Sequence, residues 1–220
     1  MNLQVVTIDG PAASGKSSVS RELAREMGWR WVSTGAFYRG LAYVAQATGV
    51  DIGSEEALSR LAHSSIWEVQ LGEDRTKVFL NGNDVTENIY REEVGTAASQ
   101  LSLYPKVRAS LLAAQRACAN ASSWLVAEGR DCGTVVFPEA PLKIYLTARS
   151  EARAQRRAAE EGSSLEEMQR VQAERDKQDT TRKAAPLQIP ENAHVIDTSS
   201  MELNEVVDAV KALVETSLQL

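Results

Sequence analysis

Residues 10–17 read Gly-Pro-Ala-Ala-Ser-Gly-Lys-Ser and match in full the phosphate-binding loop pattern G-x-x-x-x-G-K-[ST]. The apolar, β-branched run at residues 3–8 precedes this loop and predicts a buried strand. Residues 18–27 follow with apolar side chains at helical spacing, and Gly28 suits the helix end. A strand, a glycine-bounded loop and a helix N-terminus direct backbone N–H groups at an anion. The stretch therefore predicts an α/β fold whose first loop binds a nucleoside triphosphate.

The residue types within the loop indicate separate roles. In this motif the lysine, here Lys16, reaches the β- and γ-phosphates, and the hydroxyl of Ser17 ligates Mg²⁺. A chance match in a glycine-containing turn is the alternative, and the flanking strand and helix disfavour it. We expect the triphosphate to contact Gly10, Pro11, Ala12, Ala13, Ser14, Gly15, Lys16, Ser17 and Ser18.

Composition restricts the class of nucleotide binder. The chain has 220 residues, of which 43% are hydrophobic and 25% charged, a typical globular balance in one domain. The net charge of −6 argues against a large nucleic-acid surface, and no apolar run is long enough to span a membrane. Cys118 and Cys132 fit neither a disulfide framework nor a metal site, and the first residues enter a strand rather than a signal peptide. We expect an acidic cytoplasmic enzyme without nucleic-acid or membrane partners.

Strand and helix signals alternate along the chain. Strands are predicted at residues 29–32, 124–127, 142–146 and 195–196. Helices are predicted at residues 35–46, 54–62, 93–101, 105–119 and 203–214. Ser150 is predicted to cap a further helix, and Ser164 with Glu167 to form the capping box of the next one. This alternation predicts a parallel sheet covered by helices on both faces, a three-layer α/β sandwich.

One segment departs from the alternation. Residues 67–71 and 76–80 alternate apolar and polar side chains, and Asn81-Gly82 supplies a tight turn after them. The pattern predicts a small antiparallel insertion. It is compatible with a ligand-binding edge and with a surface hairpin that has no functional role.

Arginines lie at strand ends and helix starts although the net charge is negative. Arg130 follows the strand at residues 124–127, at the carboxyl end, where ligands bind in open α/β sheets. A guanidinium group pairs two phosphate oxygens at once, so these positions suit small phosphates. Besides Arg39, Arg108 and Arg130, the set comprises Arg153, Arg156 and Arg157 on one predicted helix and Arg175 and Arg182 on either side of Asp179. For any single arginine, a solvated salt bridge is the alternative.

The motifs that the chain lacks narrow the reaction. No Asn-Lys-x-Asp motif occurs, which disfavours a regulatory GTPase, and the His-Arg-Asp and Asp-Phe-Gly elements of protein kinases are missing. An acceptor phosphate is already ionised near neutral pH, so transfer to it needs several cations and little acid–base chemistry. The arginine set therefore favours a phosphate over an alcohol as acceptor.

The chain resembles the bacterial cytidylate kinases over essentially its whole length. The most specific match is Gly-Arg-Asp-x-Gly-Thr-Val-Val-Phe-Pro at residues 129–138, together with the predicted hairpin. The other matching segments are residues 8–17, 34–39, 97–100, 105–108, 174–179, 182 and 185–187.

The resemblance implies transfer of the γ-phosphoryl group of ATP to CMP and dCMP, with Mg²⁺ required. It implies a single kinase domain over residues 1–220, with a monophosphate-binding insertion at 63–90 and a helical lid at 162–184. The implied catalytic residues are Lys16, Arg130, Arg175 and Arg182. The implied CMP-binding residues are Thr34, Tyr38, Arg39, Ser99, Arg108, Arg130, Asp131, Asp179 and Arg182. Within this set, Ser99 and Arg108 would read the base and Asp179 the ribose. Arg153 and Arg157 would lie beside the donor nucleotide.

Two positions differ from the family pattern. The family usually has an acidic residue where this chain has Ser33, and an arginine where it has Gln178. A kinase for UMP or another phosphorylated acceptor remains an alternative, as does a nucleotide-dependent switch with little turnover. Nothing in the sequence requires a dimer, and we expect a monomer whose polar lid closes over its substrates.

Overall fold

The computed structural model describes residues 3–120 and 124–219, and the single-domain prediction for 1–220 extends to positions outside those ranges. The strands are β1 (Val5–Asp9), β2 (Arg30–Ser33), β3 (Trp67–Leu71), β4 (Thr76–Leu80), β5 (Asn83–Asp84), β6 (Leu125–Gly129), β7 (Leu142–Thr147) and β8 (His194–Asp197). The helices are α1 (Lys16–Met27), α2 (Gly35–Thr48), α3 (Glu55–Ala62), α4 (Thr86–Ile89), α5 (Glu92–Leu101), α6 (Pro105–Ala117), α7 (Ser150–Glu161), α8 (Leu165–Thr181) and α9 (Leu203–Leu218). A π-helical turn, Cys132–Val136, follows β6.

Five strands form a parallel sheet in the order β2-β6-β1-β7-β8. The central strands β1 and β6 are buried along their whole length, so they consist largely of apolar residues rather than an alternating pattern. One apolar cluster packs α2, α3, α5 and α6 on one face of the sheet, and a second packs α1 and α9 on the other. The predicted three-layer α/β sandwich is confirmed.

Most helix ends follow local chemistry. Gly28 and Gly49 end α1 and α2 with φ of 66° and 72°, left-handed conformations that glycine adopts without strain. At the start of α8, Ser164 Oγ accepts a hydrogen bond of 3.2 Å from the Glu167 N–H, which is one of the two bonds of the predicted capping box. The prediction that Ser150 caps α7 is wrong, because Ser150 is already helical and Arg149 holds the cap position.

The predicted insertion is present as an antiparallel sheet, β3-β4-β5. Asn81 and Gly82 have φ of 50° and 78°, the positive values that a tight two-residue turn between β4 and β5 demands. The sheet packs on α2, where a Cβ at Gly40 would lie 3.0 Å from the Trp67 ring. Within the described ranges, no helix is both long enough and apolar enough to cross a membrane.

Candidate active site

The phosphate-binding loop occupies the turn between β1 and α1. Gly10 has φ of 152°, and a Cβ there would lie 2.0 Å from the Leu146 carbonyl oxygen, so the chain passes β7 too closely for any side chain. Gly15 has φ of 88° and directly precedes α1. The close approach at position 10 excludes any side chain, and the positive φ at position 15 favours glycine there as well.

Lys16 lies inside this loop with only 5% of its surface exposed. Its Nζ donates a hydrogen bond of 2.6 Å to the Pro11 carbonyl oxygen. Burial, followed by the nearby Arg130 charge, lowers the pKa of Lys16 to about 7. The amine therefore lacks a full counter-charge, and an anionic ligand in the loop would favour its protonated form.

A buried carboxylate ties the loop to the end of β6. Asp9 accepts hydrogen bonds from the backbone N–H groups of Cys132, at 2.8 Å, and Gly133, at 2.7 Å. Burial raises the pKa of Asp9 to about 6, although both N–H groups act in the opposite direction. The contact fixes the π-helical turn against β1 and so positions Arg130 and Asp131, which directly precede it. Sequence reasoning did not assign this role to Asp9.

Sequence reasoning also missed Glu128. It is 4% exposed in β6, and Ser17 Oγ donates a hydrogen bond of 3.0 Å to its Oε1. The carboxylate beside the predicted metal ligand therefore comes from β6 rather than from position 33. A charged residue within a strand that is otherwise apolar was the available signal.

A cavity of about 330 Å³ opens beside Lys16 and brings most of the predicted residues together. The structure places in its wall Ala12, Ala13, Lys16, Ser17, Thr34, Tyr38, Arg39, Ser99, Arg108, Arg130, Asp131, Arg157, Arg175, Asp179 and Arg182. Ser33, Tyr90, Gly95, Ser102 and Glu128 also line it and were not predicted. Positions from six separate segments of the chain thus meet at the carboxyl edge of the sheet.

Alternating charges cross this cavity from α6 to the phosphate-binding loop. Arg108 donates to Asp131, and Arg182 lies 3.9 Å from Asp131 and 3.6 Å from Asp179. Arg130 then donates to Asp179 at 2.8 Å and to the Gly10 carbonyl oxygen at 3.2 Å.

Among the described side chains, the buried Arg182 Nη2 is one of the few buried polar atoms without a hydrogen-bond partner. An orphaned guanidinium donor beside a cavity suits an anionic ligand.

Further arginines surround Glu92 at the start of α5. Arg157 donates a hydrogen bond of 2.9 Å to one carboxylate oxygen, and Arg175 donates to the other. Arg39 lies close by and is held by the Ile89 carbonyl oxygen at 3.0 Å. Burial, followed by the charge of Arg175, lowers the pKa of Arg39. Glu92 therefore holds two of the guanidinium groups that line the cavity.

Arg153 does not line this cavity. It is 5% exposed and donates to the Ala12 carbonyl oxygen at 3.1 Å and to Asp176 at 2.6 Å. Its guanidinium group therefore braces the phosphate-binding loop against α8. A direct contact with a donor nucleotide stays a prediction.

A second cavity, of about 480 Å³, lies on the other side of the loop. Ser14, Gly15 and Ser18 line it together with Arg156 and residues 198–203, which connect β8 to α9. The predicted loop residues Gly10 and Pro11 line neither cavity and contribute their backbone to the turn.

A solved structure with the same architecture is the gluconokinase from Sinorhizobium meliloti. The alignment covers 100% of this chain and 97% of that chain, with a TM-score of 0.52 and 14% sequence identity. At this identity the likeness supports the fold alone.

Sequence comparison is more specific. The cytidylate kinase of Bdellovibrio bacteriovorus is 56% identical over 214 residues, which cover 97% of this chain and 99% of the relative. The cytidylate kinase of Mycobacterium leprae is 44% identical, with 96% and 95% covered. The family model for cytidylate kinase matches residues 6–216. The resemblance found in the sequence is confirmed, and the chain belongs to the cytidylate kinase family of phosphotransferases.

Proposed function

We propose that the protein transfers the γ-phosphoryl group of ATP to the phosphate of CMP and dCMP, with Mg²⁺ required. The observation that carries this proposal is the continuity of one cavity from Lys16 to the arginines of the sheet edge. A donor phosphate at the loop and an acceptor phosphate at the arginines would meet inside that cavity.

The acceptor phosphate fits beside Arg39, Arg130 and Arg182. Arg39, Arg130 and Arg182 all line the cavity, and the buried Nη2 of Arg182 lacks a hydrogen-bond partner. Bringing two anionic phosphates together is opposed mainly by their repulsion, which fixed cations offset. Since the acceptor oxygen is ionised near neutral pH, no general base is required.

The base of the acceptor fits between α5 and α6. The Arg108 guanidinium lies 5.4 Å from the centre of the Tyr38 ring and is held by Asp131. Ser99 lines the same cavity as Arg108 and Tyr38. These groups combine a planar cation, an aromatic surface and a hydroxyl, a set suited to a flat base with polar edges.

The donor nucleoside fits the second cavity, on the far side of the loop. Ser14, Gly15 and Ser18 line that cavity at the positive end of α1. Arg157 and Arg175 face the first cavity while they contact Glu92. We propose that they exchange this carboxylate for phosphate oxygens when α8 closes.

The residues at the loop suit Mg²⁺. Ser17 and Glu128 offer a hydroxyl and a carboxylate oxygen 3.0 Å apart, and both are hard oxygen donors. Mg²⁺ keeps several waters and takes one or two protein oxygens plus phosphates, so it needs no larger cluster. Within the described ranges no group of three His, Cys, Asp or Glu side chains could hold a metal. Bound there, Mg²⁺ would neutralise charge on the phosphates.

The proposal extends to the other parts of the domain. The insertion at residues 63–90 would enclose the acceptor, and residues 162–184 would form the lid. We propose a cytoplasmic monomer that binds ATP and CMP or dCMP and no nucleic acid.

An ADP-release assay with CMP, dCMP, UMP and AMP as acceptors tests the proposal. We expect CMP and dCMP to give the highest kcat/KM. A higher value for UMP would favour the alternative of a UMP kinase. Tight ATP binding without turnover of any acceptor would favour a nucleotide-dependent switch.

A further inference from the structure

Gln178 on α8 and Ser99 on α5 are joined by two hydrogen bonds. Gln178 Nε2 donates to the Ser99 carbonyl oxygen at 2.8 Å, and Ser99 Oγ donates to Gln178 Oε1 at 3.0 Å. Ser99 lines the first cavity, whereas Gln178 is not among the residues of its wall. The pair therefore connects the lid helix to a residue in the wall of the proposed acceptor cavity.

The end of α5 explains why the Ser99 carbonyl is open to this contact. Carbonyl groups in the last turn of a helix lose their helical partners. The N–H of Leu103, four residues on, bonds instead to the Gln100 carbonyl oxygen at 3.1 Å. The Ser99 carbonyl accepts from the Ser102 hydroxyl at 2.7 Å and from Gln178.

This geometry fixes the direction of both bonds. A carbonyl oxygen only accepts, so the Ser99 carbonyl requires the amide nitrogen of Gln178 to face it. The amide oxygen must then face Ser99 Oγ, and because that oxygen only accepts, the hydroxyl must donate its single hydrogen to it. Ser99 Oγ is left with lone pairs alone for a ligand in the cavity.

We propose that Gln178 is a positioning residue that determines acceptor specificity by holding the Ser99 hydroxyl as an acceptor. Cytosine carries an exocyclic amine, which donates a hydrogen bond, where uracil carries a carbonyl oxygen, which accepts one. A freely rotating hydroxyl would serve either base, whereas one whose hydrogen is already committed serves only the amine. The inference rests on the proposed function and adds to it the residue that makes Ser99 selective.

A double-mutant cycle tests this inference. The single variants are Gln178→Leu, which removes both hydrogen bonds at similar size, and Ser99→Ala, which removes the hydroxyl; the third variant carries both changes. Lys177→Leu, at the exposed neighbouring position on α8, is the matched control. Steady-state kcat and KM are measured for CMP and UMP with each variant.

We expect Gln178→Leu to lower the CMP-to-UMP ratio of kcat/KM about tenfold, with KM changing more than kcat for CMP. In the Ser99→Ala background the same substitution should leave the ratio unchanged, because its effect passes through the Ser99 hydroxyl. Lys177→Leu should keep the ratio of the unmodified enzyme. Thermal melts check folding, and Gln178→Met replaces the leucine variant if that one is unstable.

Other results would overturn the inference. An unchanged ratio in a folded Gln178 variant would do so, as would an equal effect with and without Ser99. A lowered CMP-to-UMP ratio of kcat/KM in Lys177→Leu would show that the effect arises from lid stability instead. If the unmodified enzyme does not prefer CMP over UMP, the proposed function is wrong. If it prefers CMP but the preference does not depend on Gln178, only the role of Gln178 is wrong.

Discussion

Arg130 at the end of the sheet and Asp179 on α8 are joined by a hydrogen bond of 2.8 Å between Nε and Oδ2. The bond links α8 to the phosphate-binding loop, because Arg130 also donates to the Gly10 carbonyl oxygen at 3.2 Å. Both side chains are candidate ligand-binding groups. The contact that docks α8 on the core is therefore made by groups that substrates would engage.

We expect residues 162–184 to gain protection from hydrogen exchange when a bisubstrate analogue binds. Only Met168, Gln172 and Asp179 of α8 are buried, so the helix is held mainly by polar and ionic contacts, which confer little local stability. The measurement is hydrogen exchange with and without the analogue. Residues 203–218 of α9, packed in the apolar cluster beneath the sheet, provide the internal reference.

Asp179→Ala should increase exchange in residues 165–181 of the ligand-free protein, because it removes the partner of Arg130 and Arg182. If α8 is instead permanently docked, protection from hydrogen exchange in residues 162–184 would be the same with and without the bisubstrate analogue.

Lys16→Ala should lower kcat by about 10³-fold or more. The substitution removes the buried cation that stabilises the negative charge developing on the transferred phosphoryl group. The Tm should not fall by more than about 4 °C, since a buried lysine with a lowered pKa contributes little to folding. Kinetics and a thermal melt on the same preparation provide both values. Near-full CMP phosphorylation by folded variant protein would refute the role of this loop.

Nucleotide binding at pH 8 should be accompanied by proton uptake. Burial lowers the pKa of Lys16 from 10.5 to about 7, so most of the ligand-free protein carries a neutral amine at that pH. Phosphate oxygens favour the charged amine and raise its pKa, so a proton is taken up and affinity falls as pH rises above about 7. Calorimetric titration of ATP in two buffers with different ionisation enthalpies measures this uptake. The uptake should be absent in Lys16→Met, and an equal uptake there would assign the proton to another group.

The lowered pKa of Lys16 also makes the stability of the ligand-free protein depend on pH in a defined direction. Between pH 7 and 10.5 the unfolded chain binds more protons at Lys16 than the folded chain does. This group therefore makes the ligand-free protein more stable as pH rises through that window.

Arg108→Met should raise the KM for CMP and narrow the preference for CMP over UMP. It should also lower the free energy of unfolding by about 3 kcal/mol, because Asp131 remains buried with only the more distant Arg182 nearby. The double variant Arg108→Met/Asp131→Asn should recover part of that stability without recovering the preference. Denaturant unfolding and steady-state kinetics separate the two effects. A better kcat/KM for UMP or AMP in the unmodified enzyme would show that the cytidylate assignment of this site is wrong.

Glu128→Gln should raise the Mg²⁺ concentration needed for half-maximal activity by about tenfold. The carboxylate accepts from Ser17, so Ser17→Ala should shift the same requirement. Glu93→Gln, at an exposed position on α5, is the matched control and should leave it unchanged. A Mg²⁺ requirement that is the same in all four proteins would exclude a metal role for this pair.

The sequence by itself determined the features that arise from neighbouring residues. The turn at Gly10 and Gly15, the position of Lys16 and the Asn81-Gly82 hairpin follow from backbone conformations that only certain residues adopt. Apolar periodicity likewise determined the order of strands and helices and hence the layered fold. The resemblance then assembled a set of site residues, and the structure brings most of them to one cavity.

Tertiary structure alone decided which distant groups meet. Ser17 and Glu128 are 111 positions apart, and Ser99 and Gln178 are 79 apart, so neither contact has a local pattern. The resemblance implies that Arg153 lies beside the donor nucleotide, and only the fold shows that its guanidinium group contacts Ala12 and Asp176. Glu92 carried no signal, although it holds Arg157 and Arg175. Local sequence sets backbone conformation and periodicity, whereas the partner of each side chain depends on how the elements pack.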